Sequence, residues 1–298
     1  MNAPDPARLS RRHAILRVLL FLLVVAGGMA ALAGVTYLVM HFSGRHALLQ
    51  RGQPIPAPLL FAGELFQLGP ILLAMWVMAR REGRTFADYG FPWRRLFAAP
   101  LWAGALAGIA AIAIVVGAMI VSGTAHIAGF ATTGGAALLS AAMWALTFLA
   151  VGLSEELFFR GYPQFTLGAG FGYWPAAVAI SLLFGVLHSF NPGESIVGKS
   201  EVVVFGLFMC AALRRFGDLR WLIGFHAAWD WGQTGLFGVG DSGVVGVGAL
   251  LHTEVAGPSF LSGGSAGPEA TIFTPVMLGA IAIGLALSRP QTAQALDR

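Results

Sequence analysis

Three short motifs set carboxylates and imidazoles inside otherwise apolar stretches. Glu155 and Glu156 lie in Gly-Leu-Ser-Glu-Glu-Leu-Phe-Phe-Arg160, His188 closes Phe184-Gly-Val-Leu-His, and His226 and Asp230 lie in Phe-His-Ala-Ala-Trp-Asp. Charged side chains in lipid-embedded helices are costly and usually functional, so chemistry is sought here. On a helix, Glu156 and Arg160 share one face at i,i+4 and can pair, as can His226 and Asp230. Glu155 is turned by about 100° from Glu156 and stays free. A carboxylate with two histidines and an acid is a water-activating set. Glu155 can act as general base, an adjacent histidine can share the proton, and the other histidine with a donor can stabilise an oxyanion. That is amide hydrolysis. Glu155, His188, His226 and Asp230 could instead hold Zn²⁺ with an open water position, although the sequence has no His-Glu-x-x-His.

The elements that must carry these motifs are membrane helices. Of 298 residues, 57% are hydrophobic and 11% charged, against roughly 25% charged in a soluble domain. A water-soluble globular fold is excluded. The single Cys210 excludes a disulfide framework and reads as a core residue. A span needs about 20 mostly apolar residues, and uncharged runs give one at 18–44, one near 57–79, two within 96–154, one within 161–193 and one at 270–288. Two weaker spans fall at 202–213 and around His226. Basic residues collect in cytoplasmic loops. With eight spans, 15 of the 18 lie inside, including Arg160, Arg214, Arg215 and Arg220, leaving Arg45, Arg51 and Lys199 outside.

The expectation is therefore an all-α polytopic membrane protein of about eight transmembrane helices with both termini cytoplasmic. It has a cytoplasmic tail at 1–17, one transmembrane domain at 18–288 and a second tail at 289–298. This places it in the inner or plasma membrane. The positive charge of +4 reflects orientation, not nucleic-acid binding. Positions 155 and 188 are symmetric about the turn signal Gly168–Tyr173, so a helical hairpin puts Glu155 and His188 at matching depth. Pro163 should kink its first arm. Arg160, taken as the inner end of the fourth span, and Arg220 place the site in a shallow cavity open to the cytoplasm. Glu64 with Gln67 reads as a helix–helix hydrogen bond, and Gly104 with Gly108 as close helix packing. The segment 238–270 has nine glycines and no Lys or Arg, so it should be outside and flexible or partly re-entrant.

Glu155-Glu156-x-x-x-Arg160, Phe184-x-x-x-His188 and His226-x-x-x-Asp230, in that order, resemble the CAAX prenyl endopeptidase and bacteriocin-processing (CPBP, or Abi) family over roughly 140–235. The resemblance implies an intramembrane endopeptidase acting on membrane-bound peptides or proteins. In it Glu155 activates water with a histidine, the other histidine and residue 230 bind the oxyanion, and Glu156, Arg160 and Phe184 support the site. The family often has Asn at the last position; an ionised Asp230 cannot donate to an oxyanion. A transporter or immunity-type protein using the same polar cavity for binding is the alternative. Gly240-Asp-Ser242-Gly with His252 offers a weaker serine-protease pattern, and Gly238-x-Gly-x-x-Gly243 lacks the strand a dinucleotide site requires.

Overall fold

The computed structural model describes residues 9–43, 54–190, 196–243 and 245–287. Arg45, Arg51 and the expected tail at 289–298 lie outside these residues. The helix α1 (Arg11–Ser43) takes in the last turns of the expected N-terminal tail. It is followed by α2 (Ala57–Glu82), α3 (Ala99–Val121), a strand β1 (Ala125–Phe130) and α4 (Gly134–Glu156). A π-helical turn at Leu157–Gly161 joins α4 to α5 (Tyr162–Phe171), and then come α6 (Tyr173–His188), α7 (Ile196–Phe216) and α8 (Leu219–Asp230). A second π turn, Trp231–Phe237, extends α8 before β2 (Leu251–Val255), the one-turn α9 (Ser259–Ser262) and α10 (Phe273–Leu287).

Among the described residues, four helical stretches are long and apolar enough to cross a bilayer: Arg11–Phe42, Ala57–Glu82, Ala99–Val121 and Gly134–Phe171. The apolar helices Tyr173–His188 and Phe273–Leu287 are shorter. Such a molecule is a polytopic membrane protein. Mostly helical it is, but β1 and β2 form a two-stranded antiparallel sheet that an all-α reading omits. This sheet ties the α3–α4 connection to the segment that follows the second π turn.

Helices here pack through glycine, because lipid tails supply no hydrophobic drive to bring helices together and close backbone approach must do so. A methyl group added at Gly104 would lie 2.0 Å from the carbonyl oxygen of Trp221, one at Gly108 2.2 Å from that of Phe225, and one at Gly224 2.0 Å from that of Leu101. α3 and α8 are thus in backbone contact. On the other side of α8, a methyl at Gly152 of α4 would meet the Ile223 carbonyl oxygen at 3.0 Å. The helix carrying His226 and Asp230 is consequently clamped between α3 and α4. A stack of Phe208, Trp221, Phe225 and Trp229 fills the space behind it.

The helix carrying Glu155 does not end there. It runs on through the π turn to Phe171, and chain reversal comes at Gly172, whose φ of +91° suits a residue without Cβ. The turn at 168–173 is where the sequence places it. Pro163 follows the π turn directly within this continuous helical stretch, so the expected kink coincides with a π irregularity in the backbone pairing.

Candidate active site

Glu155 and Glu156, neighbours at the end of α4, serve opposite surroundings. Glu156 points inward and is fully buried; its Oε1 accepts from Arg160 Nη1 at 3.2 Å and from His226 Nδ1 at 2.7 Å. Arg160 is also fully buried, with its guanidinium 4.4 Å above the Phe184 ring. This corrects the expectation that Arg160 belongs to a cytoplasmic loop. It is the internal counter-charge of Glu156, and the depth measured from it as a helix end does not hold.

Glu155 turns the other way, into a cavity of about 470 Å³. Two imidazoles approach it from two helices: His188 Nε2 lies 3.8 Å from Oε1 and His226 Nε2 3.6 Å from Oε2. Each imidazole is anchored by its other nitrogen. His188 Nδ1 lies 2.9 Å from the Phe184 carbonyl oxygen, which fixes the N–H there and presents Nε2 as the acceptor. His226 Nδ1 is held by Glu156, so its Nε2 also faces the cavity. Phe184 packs edge-on against His188 with centroids 4.3 Å apart, so this one aromatic ring supports His188 and Arg160 together. Asp230 completes the group, its Oδ2 3.6 Å from His226 Nε2. All seven sequence-predicted site residues come together.

Glu64 forms the expected helix–helix hydrogen bond: Ser154 Oγ of α4 donates to its Oε2 at 2.7 Å, and Gln67 Nε2 to its Oε1 at 3.2 Å. It also lines the cavity with Glu155. The 238–272 segment folds back rather than standing away from the helices. Val239 N donates to the Gln233 carbonyl and Leu250 N to that of Gly235, and Asp241, Ser242 and Glu269 join the cavity wall. Asp241 and Glu269 were not foreseen as site residues, and Ser242 only in the weaker serine pattern. The signal for them was acidic residues in a segment with no Lys or Arg. Ser242, the serine of the weaker pattern, donates through Oγ to Glu269 Oε2 at 2.6 Å. His252 lies on β2 opposite Gly129 and is exposed.

Glu269 accepts four hydrogen bonds: Trp229 Nε1 at 3.0 Å and Gln233 Nε2 at 3.2 Å on Oε1, and Ser242 N at 3.2 Å and Oγ at 2.6 Å on Oε2. Asp241 lies beside it, and burial together with the Glu269 carboxylate pushes Asp241 well above the usual carboxylate range. Carboxylate oxygens of Asp230, Asp241 and Glu269 lie within 4.8 Å of one another. Among the described residues this is the cluster with metal-ligand spacing, a different set from Glu155, His188, His226 and Asp230.

Residues 137–232, about a third of the chain, match the family model described as Type II CAAX prenyl endopeptidase Rce1-like. That stretch contains all three motifs, from Glu155 to Asp230, and agrees with the CPBP resemblance. Asp241 and Glu269 lie outside it. No curated protein and no solved structure matches the chain.

Proposed function

From an Rce1-like segment whose motifs line one cavity, we propose that this protein is an intramembrane endopeptidase that hydrolyses peptide bonds of membrane-bound peptides or proteins. The observation that carries the reading is the convergence of His188 and His226 on opposite oxygens of Glu155. A water seated between Glu155 and the acceptor Nε2 of His188 has both protons directed at acceptors. Its lone pair is then free to attack a carbonyl carbon. Glu155 takes one proton from the water as the C–O bond forms, and delivers it to the amine as the C–N bond breaks. His226, held through Nδ1–H by Glu156, donates to the developing oxyanion as the imidazolium, with its second proton on Nε2 beside the Glu155 and Asp230 oxygens. Glu156, Arg160 and Phe184 hold these side chains without touching substrate.

Eight spans, cytoplasmic termini and a cavity opening toward the cytoplasm belong to the same proposal. With Arg160 withdrawn from the fifteen inside positions, fourteen basic residues still stand against three. Substrates carrying a lipid suit a site lined by Phe148, Phe158, Phe159 and Leu187 beside its carboxylates. The test uses purified protein and a membrane-tethered or prenylated peptide. Wild type cleaves it, and Glu155→Ala abolishes cleavage with the fold retained; undiminished cleavage by that variant would overturn the mechanism.

A further inference from the structure

The corner of the cavity made by Asp230, Asp241 and Glu269 lies at the junction of α8, its π turn and the returning 238–272 segment. Three carboxyl groups share a space whose lining contains no Lys or Arg among the described residues. Besides Gln233, three donors point at the two oxygens of Glu269: Trp229 Nε1, Ser242 N and Ser242 Oγ. Two other polar groups at this corner are buried. Asp230, only 4% exposed, has His226 Nε2 3.6 Å from its Oδ2 while its carboxylate faces the other two. Gln233, fully buried, has its Oε1 unbonded while Nε2 lies between Asp241 at 3.3 Å and Glu269 at 3.2 Å. A half-turn of that amide exchanges the two atoms at no cost in shape. It would place a fourth oxygen in the cluster.

We infer that Asp230, Asp241 and Glu269, with Gln233 as the fourth ligand, bind a hard divalent cation of the Ca²⁺ or Mg²⁺ class. All four donors are oxygens, which favours such ions over zinc or copper. Ligand oxygens about 2.3 to 2.6 Å from one Ca²⁺ cannot be more than about 5 Å apart, and the three carboxylates meet that limit at 4.8 Å. Three of the four ligands, Gln233, Asp241 and Glu269, lie outside the Rce1-like match at 137–232, so the site is a property of this chain's C-terminal third. The ion would neutralise Asp230 beside His226 and pin the returning segment to α8. Its effect on peptide hydrolysis rests on the proposed function; its binding does not.

The test titrates the purified full chain in detergent micelles with Tb³⁺, exciting tryptophan, since the Trp229 indole nitrogen lies 3.0 Å from Glu269 Oε1. Saturable sensitised emission is expected, displaced by Ca²⁺ or Mg²⁺, with the better competitor identifying the ion. Asp241→Asn and Glu269→Gln should each weaken Tb³⁺ binding by about tenfold or more, because affinity follows the count of ligand charges. Circular dichroism and melting of each variant keep the comparison to folded protein. Should Glu269→Gln fail to fold, Asp241→Asn decides. Absence of saturable emission together with silent Ca²⁺ and Mg²⁺ calorimetry would overturn the inference, as would affinity unchanged in Asp241→Asn.

Discussion

His226 Nδ1 and Glu156 Oε1 are 2.7 Å apart, and the same oxygen takes the Arg160 guanidinium at 3.2 Å. One buried carboxylate therefore fixes the cavity face of His226 and neutralises an arginine that has no exposure to solvent. Removing it by Glu156→Ala leaves a buried guanidinium uncompensated, which costs about 3–5 kcal/mol. Glu156→Gln keeps an oxygen for both partners and should cost less, while still lowering kcat through loss of the charge beside His226. Thermal melting of both variants, with kcat/KM for the Gln variant, checks this ordering. Equal melting of Glu156→Ala and wild type would remove Glu156 from its anchoring role.

The two histidines should separate by stability. His188 ends α6, and its ring nitrogen is satisfied by the Phe184 carbonyl, a group that water can serve after truncation. His226 is buried between Glu155, Glu156 and Asp230. His188→Ala is therefore expected to lose cleavage by about 10²-fold or more, the range of general acid–base contributions, with little change in melting. His226→Ala should lose both. Comparable melting losses in the two variants would contradict the asymmetry.

Much of this site was legible because i,i+4 spacing is local: Glu156 with Arg160 and His226 with Asp230 needed only the helical period. The Glu155–His188 approach was legible from the turn midway between them, and Gly172 supplies it. What failed was depth. Arg160 reads as a loop cation because isolated arginines usually lie outside the hydrocarbon, and only the long-range partner His226 shows that Glu156 and Arg160 form an internal pair. The strands β1 and β2 escaped for a related reason: they are short, β1 is interrupted by Gly129, and they pair across about 125 residues. Asp241 and Glu269 sit in irregular backbone, where no period indicates a facing side.

Backbone contact between α3 and α8 yields a third expectation. A methyl at Gly108 would meet the Phe225 carbonyl oxygen at 2.2 Å, and neither partner atom is a flexible side-chain end. Gly108→Ala must push α8 outward, at a cost of about 1–3 kcal/mol or more for overpacking. Because Phe225 directly precedes His226, the displacement also moves His226 relative to Glu155. Gly117, on the same helix with open space around it, provides the control: Gly117→Ala should melt no lower than wild type, since alanine is the better helix former. Melting and cleavage of the pair distinguish packing from helix propensity.

Asp230 stands where the family pattern often has Asn, and the difference can be assayed in both of its proposed roles. An amide at this position offers N–H donors at any pH, whereas a carboxylate donates only when protonated. Asp230→Asn should therefore retain cleavage within about tenfold of wild type, whereas Asp230→Ala, which has no donor, should fall by about 10²–10³-fold, the size expected for losing one oxyanion contact. The cation site makes the opposite demand. Replacing one of three carboxylates by an amide lowers the ligand charge, so Asp230→Asn should weaken Tb³⁺ binding in the same preparation in which it cleaves. If its cleavage instead falls as far as in Asp230→Ala, the carboxylate itself is required beside His226, and donation to the oxyanion is not the task of residue 230.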